Sequence, residues 1–536
     1  MISALPPASS MPVPDPLSTR LARALRAGGA DIMFGLPGGG PNLDVVGAAL
    51  AEGMRFVLAH GETAAAIMAS TYGRLTDQPT PVVVTRGPGA ASAANGAAQA
   101  TLDRYPLVVI ADTVPSVQAH RVPHQRVDQA AMMAPLTKAS ATISDVTDDA
   151  DLHELVTHAV TWPSGAVHLD FDPAHPLAAP VFDAPPAATL DVAALATARA
   201  MIESAKRPLV IVGVEAAAWG SSIADVLEAF GCPVLTTYEA IGVVSTEGSI
   251  SAGIFTNGAL ERPVLDAADL VVAVGLDEVE PIPATWSTAA PLVRLSTVQQ
   301  TSPYFEVAVD VVAPTADLLK VLAPTTTIWP RGAAESFRAE ARAALRPNNP
   351  AAPFGPLELV GVAAAVVPDD ATVTVDAGAH FLAVMPNWPV TRPFGLLISN
   401  GLATMGFAVP AAIGAALARP NSPVLALTGD GGLSMTLAEL ETIARLDLPI
   451  TIVVFNDAAL SLIEIKQRDG HGGRQAVRYR PVDFAAIARA SGIAGEVVEG
   501  IEALRKALKL GWNAPRLIDA RIDPGDYPHL IATTRG

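Results

Sequence analysis

Two acidic residues stand where strand ends would present them for chemistry. Asp430 lies inside TGDGGL (428–433), at the end of the apolar run PVLALTGD, and Asp457 closes the next such run, ITIVVFND. A strand ending in Gly429-Asp430-Gly431 puts a carboxylate at a sheet edge, with backbone N–H groups beside it for anionic oxygens. The following strand delivers Asn456 and Asp457 to the same edge. Carboxylates of this kind, a carbonyl and diphosphate oxygens form a shell suited to Mg2+, which takes few carboxylates and completes itself on phosphates. A GDG on its own is an ordinary tight turn; the spacing to a second acid and the strand context make it a candidate diphosphate and metal seat.

The elements that must carry such an edge recur along the chain. Short β-branched runs, PVVVTR, PLVVIAD, PLVIVGV and DLVVAVG among them, alternate with alanine-rich segments of helical character. That is the pattern of parallel sheets covered on both faces, so the expected class is α/β. Composition shifts at DAPPAAT (183–189) and RPNNPAAPFGP (346–356) predict two linkers and three doubly wound parallel-sheet domains. The expected limits are a loose N-terminal arm over 1–16, domains over 17–182 and 190–325, a linker over 326–354 and a last domain over 355–536.

Composition excludes several classes of function. With a formal net charge of −18, the 536-residue chain lacks the clustered cations that grip nucleic acid or an anionic membrane, so neither is an expected partner. Half of the residues are hydrophobic and 16% are charged, which suits large buried cores. Cys232 is the only cysteine, so no intrachain disulfide is available; a reducing, cytoplasmic location is expected. The proline-rich start MISALPPASSMPVPDPLSTR has no basic segment leading into an apolar one and reads as no secretory signal. Residues 394–418, FGLLISNGLATMGFAVPAAIGAALA, carry no charge over a membrane-spanning length, but Asn400, Pro410 and several glycines interrupt them. A buried loop leading into a buried helix is the expected outcome.

The unit VLALTGDGGLSMTLAELETIARLDLPITIVVFNDAALSLIEIKQ resembles the diphosphate-binding motif of thiamine diphosphate enzymes, in which GDG is followed by an Asn-Asn or Asn-Asp pair. The resemblance implies a metal, Mg2+, held by Asp430, Asp457 and the carbonyl of Ala459, with Gly429, Gly431, Gly432 and Leu462 along the diphosphate. FGLPGGGPNLDVVGAALAEGMRFVLAHGETAAAIMASTYGRLT resembles the pyrimidine-binding start of the acetolactate synthase branch, where one glutamate contacts pyrimidine N1′; that residue matches Glu62. Taken alone, Glu62 reads first as a helix-start glutamate favoured by the macrodipole, and the motif context reverses that. NGLATMGFAVPAAIG resembles the family's GGLGTMG segment, whose large apolar residue, here Met405, bends the cofactor while backbone groups of Ala403 and Met405 bond its pyrimidine. Ala403 replaces a family glycine, and a methionine in an apolar run also serves as core filler. VDAGAHFLAV aligns Gly378 and His380 with residues that approach the diphosphate. TRGPGAAS resembles the family's GPG turn, and PHQRVDQAAMMAPLTKAS its active-site loop, with Gln125 facing the thiazolium, His124 as a proton donor or a solvated loop residue, and Lys138 on the lysine after the loop.

The resemblance spans nearly the whole chain, in the order pyrimidine-binding, central Rossmann-like and diphosphate-binding domain. Three departures stand out. Where acetohydroxyacid synthases carry an arginine in RFDDR for the second 2-oxo acid, VGLDEVEP has none; their tryptophan after the metal loop falls on Lys466; and their FAD-binding glycines are poorly matched in VGVEAAAWG, which makes FAD doubtful. What is implied is decarboxylation of a 2-oxo acid, a small-molecule substrate, with ThDP and Mg2+ and transfer of the acyl-anion equivalent to a second carbonyl compound, in a homodimer or homotetramer whose sites lie between chains. A plain 2-oxo acid decarboxylase and a non-catalytic cofactor-binding partner subunit are the alternatives.

Overall fold

The structure is a computed structural model. It describes residues 15–535 apart from 119, 178–188, 220–221, 283, 287, 300–304, 314–318, 320–321, 323–326, 348–352 and 468–475. Most of the N-terminal arm, nearly all of the 183–189 linker and part of the 346–356 linker therefore lie outside the described residues.

Three six-stranded sheets, parallel throughout, carry the molecule. The first contains β1 (Ile32–Leu36), β2 (Arg55–Leu58), β3 (Pro81–Val84), β4 (Leu107–Asp112), β5 (Ala139–Ile143) and β6 (Ala166–Phe171), in the order β2-β1-β3-β4-β6-β5. The second has β7 (Pro208–Val212), β8 (Val234–Thr236), β9 (Ser251–Ile254), β10 (Leu270–Val274), β11 (Leu292–Ser296) and β12 (Val309–Val312), in the order β12-β11-β10-β7-β8-β9. The third has β13 (Thr372–Val375), β14 (Leu396–Leu397), β15 (Val424–Gly429), β16 (Ile450–Asn456), β17 (Ala494–Val498) and β18 (Arg516–Arg521), in the order β14-β13-β15-β16-β18-β17. Renumbered from its own first strand, the third sheet repeats the order of the first. The second is the doubly wound dinucleotide order with its topological switch between β7 and β10.

The β-branched runs form the central strands because covering helices bury both faces; β3, β4, β7, β10 and β16 are buried at every position. The uncharged stretch resolves as expected. A loop precedes the helix Ala408–Ala418, whose residues 408–416 are all buried against the helix Glu62–Thr76 and the third sheet. The two helices approach so closely that a Cβ at Gly414 would lie 2.4 Å from the Met68 carbonyl oxygen. Their contact makes one apolar core continuous from the first sheet to the third. Among the described residues no helix is long and apolar enough to cross a membrane. The segment 326–354 contains the helix Ala333–Ala344, which packs on β9.

Candidate functional site

The carboxyl ends of β13, β15 and β16 are neighbours in the third sheet, and the turns that leave them face a common cleft. Gly378 and His380 follow β13, Gly429 to Gly432 close β15, and Asp457, Ala459 and Leu462 follow β16; all line this cleft. Ala403 and Met405 enter it from the loop before Ala408–Ala418. The residues expected on the diphosphate side are thus brought together.

Gly429 pairs with Phe455 in the parallel register, which brings Asp430 level with Asn456 and next to Asp457. The Asp430 carboxylate is buried and accepts from the amides of Asp457 (3.2 Å) and Ala458 (2.7 Å), so the second strand end is tied to the first. Tyr479 donates its hydroxyl to the other Asp430 oxygen at 2.5 Å. Asp457 accepts from the Ser461 hydroxyl at 2.5 Å. Burial, with the Asp430 charge adding to it, raises the Asp457 carboxyl to about 7, and burial raises Asp430 as well. Asn456 points to the opposite face, where its amide donates to Asp519 and to the Val482 carbonyl. Among the described residues no group of three His, Cys, Asp or Glu side chains is placed to hold a metal.

Glycine is required in the turn for space. A Cβ at Gly431 would lie 2.7 Å from Leu460 and 3.2 Å from the Met405 methyl, and one at Gly432 would lie 2.2 Å from Asp376. Asp376 is a residue that sequence reasoning missed. Its carboxylate accepts from the amides of Gly406 (2.9 Å) and Phe407 (3.2 Å) and from the Thr428 hydroxyl (2.9 Å), locking the Met405 loop to the Asp430 turn. His380 stacks on Phe455, and burial lowers its imidazole to about 4, so it is neutral near pH 7. Its Nε2 is buried without a hydrogen-bond partner. Ala403 holds φ at +53°, the left-handed region that favours glycine, and Thr404 turns its hydroxyl away from the cleft to Asn95.

The first-domain residues lie elsewhere in the chain. Glu62 opens the helix Glu62–Thr76, and its Oε1 is 3.4 Å from where a Cβ of Gly89 would stand, against the Gly87-Pro88-Gly89 turn. His124 and Gln125 are exposed on the loop after β4, with Gln125 at φ +55°. None of the three lines the cleft. Lys138 is spent structurally: its ammonium donates to the carbonyls of His158 (2.6 Å) and Thr161 (2.5 Å). Lys466 is exposed on the helix Ser461–Gln467.

A second cleft shares Ala377, Gly378, Ala403 and Leu462 with the first and reaches the central domain at Glu278 and Glu280. Near the β7/β10 switch backbone amides are taken by the chain's own carboxylates. Glu280 accepts from the Val214 amide (3.0 Å), the Asp277 amide (2.9 Å) and the Thr237 hydroxyl (2.5 Å). Glu215, also buried, accepts from the Thr297 amide at 2.7 Å and from its hydroxyl.

Sheets of this order with a glycine-lined acidic edge are those expected of an enzyme that works with thiamine diphosphate, and the comparison with known families assigns the chain to that class. Residues 16–132, 195–322 and 376–520 match the N-terminal TPP-binding, central and C-terminal TPP-binding domains of thiamine pyrophosphate enzymes, and the chain belongs to that family. Within the family it falls in the acetolactate synthase-like branch. It is 30% identical to an acetolactate synthase of Bacillus subtilis (strain 168), over 94% of this chain and 92% of that one, and 28% identical to a catabolic acetolactate synthase of Raoultella terrigena, over 95% of each. It is also 30% identical to a Pseudomonas aeruginosa protein named probable 2-ketoarginine decarboxylase, over 92% of this chain and 91% of that one.

Proposed function

We propose that this enzyme decarboxylates a 2-oxo acid with ThDP and Mg2+ and passes the acyl-anion equivalent to a second carbonyl compound. The observation that carries the reading is the cleft at the ends of β13, β15 and β16, whose donor set fits a metal diphosphate: two adjoining carboxylates, a glycine cradle and the unpartnered Nε2 of His380. Asp430, Asp457 and the Ala459 carbonyl would hold Mg2+, while Gly429, Gly431, Gly432, Gly378, His380 and Leu462 would take the diphosphate. Ala403 and Met405 would set the pyrimidine. Bound ThDP supplies an electron sink for the pair released as CO2 leaves. Glu62 would share a proton with the pyrimidine ring, and Gln125 and His124 would face the reacting carbon.

The domains at 17–182, 190–325 and 355–536 divide these tasks, with the site closed by two copies of the chain in a homodimer or a homotetramer in the cytoplasm. Glu62 stands apart from the cleft of its own chain, which supports a site shared between copies. FAD does not suit the central sheet: its diphosphate would have to displace Glu280 from its donors and then meet Glu215 and Glu278.

A simple decarboxylase is the second reading, favoured by the absence of arginine from residues 274–281 and by the relative named as a 2-ketoarginine decarboxylase. Incubation of the protein with ThDP, Mg2+ and a panel of 2-oxo acids, scored by CO2 release and product mass, separates the two. A ligated hydroxy-ketone is expected; an aldehyde alone would favour the second reading, and no ThDP uptake in calorimetry would overturn both.

A further inference from the structure

The loop bearing His124 and Gln125 is exposed along residues 123–128, yet it runs directly into a buried anchor. Gln129, 3% exposed, opens the short helix Gln129–Met133. Its Oε1 accepts from the Gly87 amide at 2.7 Å, and its Nε2 donates to the Asp112 carbonyl at 3.1 Å and to the Asp170 carboxylate at 2.6 Å. Both Nε2 hydrogens are thereby used, and an apolar side chain of the same size would strand all three partners. The partners are themselves fixed. Asp112 is bound by Asn42 and Arg86, and Asp170 lies 3.3 Å from the His168 ring, whose other nitrogen meets the Ser140 hydroxyl at 2.8 Å.

The turn Gly87-Pro88-Gly89 connects this anchor to two residues of the proposed chemistry. A Cβ at Gly87 would lie 2.6 Å from the Gln125 carbonyl oxygen, so the loop backbone rests on the turn where Gln125 adopts its left-handed φ of +55°. At its other end the turn faces Glu62. We propose that Gln129 is a positioning residue, clamping the active-site loop to the turn beside Glu62 and so fixing where Gln125 presents its side chain. This assignment rests on the reading of Gln125 and Glu62 given under the proposed function.

The test uses the full chain with ThDP and Mg2+ and the 2-oxo acid it turns over best. Gln129→Ala is expected to lower kcat about tenfold or more, as small misplacements near reacting groups do, while ThDP affinity and KM stay within about twofold. Trypsin should cut after Arg121 or Arg126 at least about tenfold faster in this variant, because cleavage follows loop opening. Gln129→Glu alone sets two carboxylates face to face and should be as impaired. Combining it with Asp170→Asn returns a donor to that contact and should recover part of the loss, the Asp112 carbonyl staying unpaired, which a merely space-filling role would not. The proposal falls if Gln129→Ala leaves both kcat and trypsin cleavage within about twofold, or if ThDP binding is lost in step with turnover and the double variant is no better than the single. Should the parent chain turn over no 2-oxo acid, the proposed function fails while the trypsin comparison still decides the anchor.

Discussion

Asp430 and Asp457 were legible in the sequence because a strand followed by glycine leaves few places for a side chain to go. Asp376 and Tyr479, which hold Asp430 and its turn, were not. They contact the seat through the fold, from residues far along the chain, and no local spacing announces such partners. Glu62 shows the reverse: its type and helix-start position were readable, but a helix-start glutamate and a proton-sharing one look alike until a neighbouring motif is present. For Glu62→Gln we expect turnover to fall by roughly 10²- to 10⁴-fold, the usual scale of a lost acid–base group, with ThDP affinity little changed in calorimetry. Ala403 also makes a prediction. A methyl group held at φ +53° is strained, so Ala403→Gly should raise unfolding stability by about 1 kcal/mol in urea titrations.

The stretch 394–418 places the site, although its hydropathy alone suggests a membrane. The helix Ala408–Ala418 buries its apolar surface against Glu62–Thr76, and the loop before it delivers Ala403 and Met405 to the cleft. Gly414→Ala would push a methyl group onto the Met68 backbone and should cost about 1–3 kcal/mol of stability, read by thermal or urea unfolding. The same junction contains Asp103, whose buried carboxylate accepts from the Gly401 amide at 2.6 Å and from Gln99 at 2.9 Å. Burial raises Asp103 to about 6 from an ordinary value of 3.8. Because the folded value is the higher, its contribution to stability is fully present below about pH 4 and is lost as pH rises through about 6. Unfolding of the wild type should therefore show a stability loss on the order of 3 kcal/mol across that window that Asp103→Asn does not share. Equal pH slopes in the two proteins would refute this.

In the whole molecule, three parallel sheets were predictable from alternating apolar runs and alanine-rich segments, since burial on both faces leaves a simple pattern. What that pattern could not convey was the repeated strand order of the first and third sheets, or that they share one core; these depend on which strands become neighbours. The same long-range geometry keeps Glu62 out of the cleft formed by its own Asp430. If two copies complete each other's sites, Glu62→Gln and Asp430→Ala chains, each inactive alone, should regain about a quarter of wild-type activity when co-expressed, since random pairing into symmetric dimers leaves that share of sites intact. No recovery would place both residues in one chain's site.

The carboxylates at the switch point of the central sheet have one more consequence. With the Val214 amide already given to Glu280 and the Thr297 amide to Glu215, we expect no flavin to be held at the central sheet, and the purified enzyme should be colourless. A yellow preparation whose blue-light absorption survives desalting would contradict that.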